Sequence, residues 1–552
     1  MHTDLNQPHQ SPQASSPSPL LPLLAILLLA VGLRLTRLHE SVWIDELYTS
    51  NLFVGHPLVL MKTLFSDIHP PLYFVGMHFW NALFGDSELS LRMPPLLCGL
   101  ASVVVLFQLG RRVFDTRTGL IAALLLALSP VHIWYSQEGR PYSFDVLMLL
   151  VTTLAFVEVS GARAFRWSLA FFVGLFGIAF THYYMAAFVF AFPVLAWFAK
   201  SPSRGRITWI SGMIAVLVGA YIFAKASISH VDTGRSYLRA FDLAEAWRLF
   251  FHWFLTGNSL TPIGEPPRLA PLLWAIQGIG VLAVLLGILR SVKRGPLART
   301  AGGHPWQIPL LALVLPGALF VLTLIGLDRT YIERSALPSL PLFLLVLAAG
   351  VGGIRRAWLA NGMLTLTVAA AATALVGYFA FEGSWTVYKP RPDWRTAAAY
   401  LTNEIEHTDG VLRVYSDYVS PTPLTYYDPR IAETKTFVRN DRKVKKLLAT
   451  TGRIFGTEGF PGGTIRTWLQ TRLDEFDTRL DTDQRAMRAA IDQLSAKDPL
   501  HVRSRHDATR PFYVIVFGTV PPRVAKLVRA CKKLATRQFR SLTIFKLQRH
   551  PS

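Results

Sequence analysis

The sequence predicts a membrane all-α protein of about eleven transmembrane helices, followed by a soluble α/β domain. Three observations lead there. Of the 552 residues, 51% are hydrophobic and only 16% are charged, the proportions of a chain that lies mostly in a bilayer. Apolar runs of about 20 residues recur from Leu20 to position 381. From Glu382 onward the runs shorten, and helical and strand periods alternate.

The 56 Lys and Arg outnumber the 35 Asp and Glu, for a formal net charge of +21. Such a surplus suits nucleic acid when it is pooled on one surface. Here it is dispersed over alternate connectors: Arg111, Arg112 and Arg117; Arg163 and Arg166; Lys200, Arg204 and Arg206; Arg290, Lys293, Arg294 and Arg299; Arg355 and Arg356. The opposite connectors between the later helices are poorer in basic residues, apart from the long one at 226–269. This is the positive-inside pattern. It removes nucleic acid as a partner and places the amino terminus in the cytoplasm. The long first loop 39–91, the connectors 135–142, 226–269 and 328–334, and the whole tail then lie outside.

Taken in order, residues 1–19 are rich in Pro, Ser and Gln and read as a disordered cytoplasmic tail. The run 20–38 lacks a basic leading region and a clear small-residue cleavage site, so it reads as a retained helix. Further spans are expected near 92–110, 118–135, 142–160, 166–183, 184–199, 207–225, 270–289, 307–327, 335–354 and 358–381. Arg34 and Arg37 sit at the outer end of the first helix. They either snorkel to the interface or face an anionic lipid headgroup. Cys98 lies in an apolar run and Cys531 in the polar tail, which argues against a disulfide framework.

In the domain 382–552, strands are expected at 410–416, 511–518 and 541–548, and helices at 392–406, 473–497 and 521–536. Gly456–Gly463 is glycine-rich without a phosphate-loop or dinucleotide pattern and reads as a plain loop.

Acidic residues at a bilayer surface are unusual enough to be read first as functional. Ser41-Val42-Trp43-Ile44-Asp45-Glu46-Leu47-Tyr48 places two adjacent carboxylates just after the first span. Asp67-Ile68-His69-Pro70-Pro71-Leu72-Tyr73 follows in the same loop.

These segments belong to a longer series: Phe84-Gly85-Asp86-Ser87-Glu88 leading to Leu91-Arg92-Met93-Pro94, then Ser129-Pro130, then Trp134-Tyr135-Ser136-Gln137-Glu138-Gly139-Arg140-Pro141-Tyr142. In order and spacing the series resembles the bacterial GT-C glycosyltransferases of the family 39 type. Their relatives include protein O-mannosyltransferases, the lipid A aminoarabinose transferase and the rhizobial galacturonic acid transferases. The likeness is dense over 34–200 and thins to helix pattern through 380, with a partial match from Tyr331 to Pro341. Lys389-Pro390-Arg391-Pro392-Asp393-Trp394-Arg395 resembles a segment that many such proteins carry after the last helix.

The resemblance implies a GT-C transmembrane catalytic domain over 20–381 and an enzyme of the bacterial inner membrane. Such an enzyme takes a sugar from a polyprenyl-phosphate carrier and passes it to a lipid, glycan or protein acceptor on the outer face, with inversion. Asp45 matches the family's catalytic acid and is the expected base; otherwise it caps a juxtamembrane helix. Glu46 is a second catalytic candidate, or a residue that stabilises the loop. His69 stands where the aminoarabinose branch has lysine, so a weaker phosphate contact or a loop-fixing role is expected. Arg140 is the expected partner of the leaving phosphate, with Glu138 and Tyr142 beside it; an internal Glu138–Arg140 pair is the alternative. Arg329 and Arg334 are candidates for the carrier phosphate, or they pair with Asp328 and Glu333. His182, Tyr183 and Tyr184 read as interfacial belt residues.

There is no Asp-x-Asp, no His-x-x-x-His and no cysteine pair at ligand spacing. No metal or cofactor is assigned. Asp45, Glu46, Asp67 and His69 are the only obvious oxygen and nitrogen set for a divalent cation. A transporter or flippase of a lipid-linked sugar is the alternative from another class. Such proteins place polar groups near the bilayer midplane, often in internal repeats, whereas the acids here cluster at one surface and no repeat is evident.

Overall fold

The structure is a computed structural model. It describes residues 18–51, 69–161, 163–228, 239–260, 270–294, 304–326, 331–380, 393–406, 413–416, 422–427, 435–438, 512–517, 525, 528–529, 531–539 and 542–548. The expected helix 473–497 and the glycine-rich stretch 456–463 lie outside these residues, as do Asp67, Asp328 and Arg329.

Every apolar run expected to span forms helix. In chain order the helical elements are α1 Leu20–Leu35, α2 Ile44–Asn51, α3 Leu72–Phe84, α4 Glu88–Val113, α5 Thr116–Leu128, α6 Pro130–Ser136, α7 Tyr142–Glu158, α8 Ala164–Ala179, α9 Ala186–Phe198, α10 Arg204–Ile228, α11 Leu243–Trp247, α12 Phe254–Thr256, α13 Ala270–Lys293, α14 Gln307–Leu324, α15 Leu340–Gly352 and α16 Ala357–Ala380. Among the described residues, six helices are long and apolar enough to cross a membrane, or seven if the bent pair α5–α6 counts as one. Leu20–Leu35, Ala164–Ala179 and Tyr183–Phe198 are shorter apolar helices.

Helix α15, with the 3₁₀ turn Glu333–Ser339 that precedes it, is the core element, 94% buried over its apolar window. It packs against α13 at backbone contact distance. A Cβ on Gly287 would lie 1.9 Å from the Val346 carbonyl, and one on Gly350 would lie 1.9 Å from that of Ala283. Glycine is the residue that allows this approach.

The expected continuous span 118–135 is broken. Its two halves meet at 64° at Ser129-Pro130. Pro130 has no N–H to continue the ladder, and Ser129 caps the second half through its hydroxyl, 3.4 Å from the His132 N–H. The break takes the regular i+4 partners from carbonyls at the end of α5, and that of Leu126 keeps only the Ser129 N–H at 3.4 Å. Arg34 serves these carbonyls. Its guanidinium donates to the carbonyls of Ala127 and Leu126, both at 3.2 Å, and to His132 Nδ1 at 2.7 Å. Arg34 is fully buried, and no carboxylate pairs with it among the described residues. The negative end of the α5 dipole serves as its counter-charge. The expected headgroup or snorkelling role is therefore corrected: Arg34 is an internal cap. Arg37 lies over the rings of Tyr378 and Phe379, at 4.8 and 5.5 Å, and within 3.9 Å of Glu40.

Polar connectors gather at two ends of the helical body. At one end Arg290 and Arg294 meet Asp115, Arg112 meets Glu158 at 3.4 Å, and Arg206 donates to the Val159 carbonyl. This is the basic end expected to face the cytoplasm. At the other end lie residues 38–50, 69–92, 137–142, 182–183 and 331–334, joined by the contacts described below.

The C-terminal domain holds helices α17 Trp394–Glu406 and α18 Thr422–Tyr427, and strands β1 Arg413–Ser416, β2 Lys435–Val438, β3 Phe512–Phe517, β4 Lys532–Phe539 and β5 Leu542–Gln548. The strand order is β2-β1-β3-β5-β4. β1 runs parallel to β2 and β3, and β5 runs antiparallel to β3 and β4. The buried face of α17, formed by Trp394, Ala397, Ala398 and Leu401, packs on Tyr513, Ile515, Leu542 and Ile544.

One expected helix is corrected. Residues 532–539, which overlap the end of the predicted helix 521–536, form the edge strand β4. Lys, Leu and Ala favour helix locally, but pairing with β5 wins, and the lysines suit an exposed edge.

Candidate active site

The site is built from residues upward at the end opposite the basic connectors. Its rigid part is a buried ion pair. Glu46 and Arg92 are both fully buried. Arg92 donates Nε to Glu46 Oε1 at 2.8 Å and Nη2 to Oε2 at 2.7 Å, a two-pronged contact. Its remaining donors reach the carbonyls of Leu38, Glu40 and Ser41, at 2.7, 2.6 and 3.1 Å. Glu46 also accepts the N–H of Trp43 at 2.7 Å and that of Gly139 at 2.9 Å. One carboxylate thus joins the first loop, α4 and the connector between α6 and α7. Such a pair is stable because every polar atom is matched.

Asp45 faces elsewhere, as neighbouring positions on a helix do. Its Oδ2 accepts from Arg334 Nη1 at 3.1 Å, with both side chains about one-fifth exposed. Arg334 enters from the turn before α15, and its guanidinium stands 5.9 Å from the Tyr142 ring centre. Arg140 comes from the 137–141 connector. It is buried and donates to the Asp45 carbonyl at 3.3 Å, to Thr49 Oγ1 at 3.4 Å and to His69 Nε2 at 3.3 Å. Its guanidinium lies 5.6 Å from the ring centre of Phe74. Its Nε is sealed from solvent with no partner among the described residues. Burial works against the charge on Arg140, but Tyr142, Asp45 and Glu138 outweigh it and hold its pKa above the ordinary guanidinium value.

An arginine has donors only, so the His69 Nε2 that meets Arg140 acts as acceptor and its ring proton sits on Nδ1. His69 packs edge-on to Phe74 and to His182, with ring centres 5.8 and 6.4 Å apart. His182 is part-buried, and its Nδ1 is sealed without a partner among the described residues. Burial, with Arg334 and Arg140 adding like charge, pushes its pKa down to about 3.

The arrangement brings Asp45, His69, Arg140, Tyr142 and Arg334 together from four separate stretches of chain. Glu138 is buried in the same connector, and its carbonyl accepts the Arg140 N–H at 2.6 Å. Tyr142 stacks edge-on with Tyr135 at 4.8 Å. Glu333, considered as a partner for Arg334, pairs instead with Arg239. Tyr183 accepts from Lys225 at 2.9 Å.

Arg92, Thr49 and His182 were not among the expected site residues. Arg92 carried a visible signal: an arginine at the head of an apolar run, close in sequence to two acids. What the assembled side chains offer is one carboxylate beside two guanidiniums, largely shielded from solvent, a setting for proton acceptance next to a strongly anionic group.

This architecture is shared with solved proteins. ArnT from Cupriavidus metallidurans in the apo state superposes with a TM-score of 0.52, at 11% identity, over 95% of this chain and 97% of that one. The same protein bound to undecaprenyl phosphate gives 0.53, at 10% identity, over 96% and 97%. The chain has the GT-C fold. Residues 68–230 of this chain also match the family profile described as dolichyl-phosphate-mannose-protein mannosyltransferase. YycA of Bacillus subtilis (strain 168), a mannosyltransferase by name, is 28% identical over 120 residues, which covers 22% of this chain and 17% of that protein's length. The profile match includes His69, Glu138, Arg140 and Tyr142 and begins after Asp45.

Proposed function

We propose that this protein is an integral membrane glycosyltransferase that moves a sugar from a polyprenyl-phosphate carrier to a hydroxyl group on a lipid, glycan or protein, at the outer face of the membrane. The observation that carries this reading is the placement of Asp45 between Arg334 and Arg140. The GT-C fold, the mannosyltransferase profile and the undecaprenyl phosphate held by the ArnT neighbour support the choice of carrier.

Asp45 takes the proton from the acceptor hydroxyl. The acceptor oxygen forms a bond to the anomeric carbon from the face opposite the phosphate. The bond between that carbon and the phosphate oxygen breaks, and the carrier phosphate departs with the electron pair. The configuration is inverted. Arg140 and Arg334 stabilise the charge that develops on the phosphate. Guanidinium forks match phosphate oxygens in pairs. Arg334 also holds the Asp45 carboxylate in its ionised, proton-accepting form. His69 contributes an N–H on Nδ1, and Tyr142 forms a wall. Glu46, saturated by Arg92 and two backbone N–H groups, positions Asp45 and takes no proton.

The test is transfer by purified protein in detergent, supplied with a panel of undecaprenyl-phosphate sugars and a total lipid extract as acceptor. There are no compartments in that mixture, so a transporter would leave the sugar on its carrier. Appearance of a glycosylated acceptor supports the reading. Binding of the donors without any sugar transfer would favour the transporter.

A further inference from the structure

The first loop is held from two sides. Arg92 grips it from inside the helical body. From outside it is held by the segment Asp393-Trp394-Arg395 and by Tyr427, both from the C-terminal domain.

The contacts are specific. The Arg395 backbone N–H donates to Ser41 Oγ at 3.2 Å, and Ser41 Oγ donates to Asp393 Oδ1 at 3.4 Å. Arg395 Nη2 donates to the His39 carbonyl at 3.0 Å and also reaches Glu88. The Val42 N–H donates to the Tyr427 hydroxyl at 2.8 Å, and that hydroxyl donates onward to Glu88. The Arg395 guanidinium stands 5.8 Å from the Tyr427 ring centre. Tyr427 packs on both the Val42–Leu47–Tyr73 cluster of the loop and the sheet core of the tail domain.

Glu88 and Arg92 are one helical turn apart on α4. Glu88 joins the outer clasp, while Arg92 forms the inner one. Between them run residues 39–42, which lead directly into α2 and Asp45.

We propose that Asp393, Arg395 and Tyr427 are positioning residues for Asp45, and that the docked C-terminal domain acts as a latch on the first loop. With the latch made, Asp45 is aligned with Arg334 and Arg140. With it broken, the loop moves on its inner anchor alone and the proton acceptor loses its alignment. The effect on turnover rests on the transferase reading; the effect on loop order does not.

The test uses the full chain in detergent and compares the parent with Tyr427→Phe, Glu88→Arg, Arg395→Glu and the swap Glu88→Arg/Arg395→Glu. Amide hydrogen exchange over residues 39–48 is read against that over 96–110. Tyr427→Phe keeps the ring packing and removes the hydroxyl relay. Exchange in 39–48 rises roughly tenfold in each single variant, and the reference helix stays unchanged. The swap restores protection. In the transfer assay the single variants lower kcat at least fivefold, with the KM for the carrier-linked sugar within twofold. Unchanged protection in 39–48, or a swap no better than the single variants, overturns the latch. Loosened exchange with no turnover by the parent on any donor leaves the latch standing and counts against the transferase reading. Loosened exchange with undiminished kcat overturns the positioning role.

Discussion

Asp45 Oδ2 lies 3.1 Å from Nη1 of Arg334, although 289 positions separate them in the chain. The contact joins the first loop to the turn before the most buried helix, so the carboxylate is fixed against the rigid core of the protein. Loss of Arg334 should therefore act on Asp45 as well as on the carrier. Arg334→Gln is expected to lower kcat/KM by about a hundredfold or more, and to move the acid limb of the pH–rate profile upward as the carboxylate loses its cation. A profile with an unshifted acid limb would separate the two residues functionally.

Arg140 makes its three hydrogen bonds with a planar fork that lysine cannot reproduce. Arg140→Lys keeps the charge in place. The expected result is a KM for the carrier-linked sugar raised about tenfold, with the unfolding temperature little changed. Steady-state kinetics at constant detergent concentration check this. A normal KM would remove Arg140 from the phosphate site.

The Glu46–Arg92 pair is expected to matter for stability first. Arg92→Leu leaves a buried carboxylate without its cation, at a cost of about 3–5 kcal/mol. The protein should be recovered in low yield with a lowered unfolding temperature. Replacing both residues with apolar ones of similar volume should recover part of the loss, as read by thermal unfolding in detergent.

Arg34→Leu removes the cap from the broken span. The Ala127 carbonyl then loses its donor, at about 1–3 kcal/mol for a buried group left unmatched, while that of Leu126 keeps only the Ser129 N–H. Exchange of the amides around Ser129-Pro130 should rise. An unaltered unfolding temperature would show that water replaces the guanidinium without penalty.

His182 supplies a pH dependence. Its imidazole takes up a proton near the ordinary value of about 6.5 when unfolded, and only near 3 when folded. Between those values the unfolded chain binds more protons, so stability falls as pH drops through the window. At pH 5 the expected penalty is about 2 kcal/mol. His182→Phe should show a smaller drop in unfolding temperature between pH 7.5 and pH 5 than the parent. An equal drop in both would assign the acid sensitivity to other groups.

The helical body was largely legible because apolar runs and basic connectors obey the constraints of a bilayer. Asp45, Arg140 and Arg334 were legible through the order of motifs. Their mutual contacts were not, since they come from separate connectors and only the packing of α15 brings Arg334 to the first loop. Ser129-Pro130 was visible in the sequence, yet its apolar neighbours hid the break behind a full-length run. The strand β4 was hidden by residues with helical preference, whose pairing with β5 is a non-local effect. Arg92 stood in view at the head of an apolar run, but its partner Glu46 lies 46 positions away and only the fold joins them.

The most direct measurement is single-turnover sugar transfer by Asp45→Asn, made alongside the parent and matched to it in unfolding temperature and carrier binding. The neutral amide keeps the shape and removes the proton acceptor. The expected result is bound donor with transfer slowed by about a hundredfold or more. Transfer at the parent's rate would contradict the assignment of Asp45 and, with it, the site proposed here.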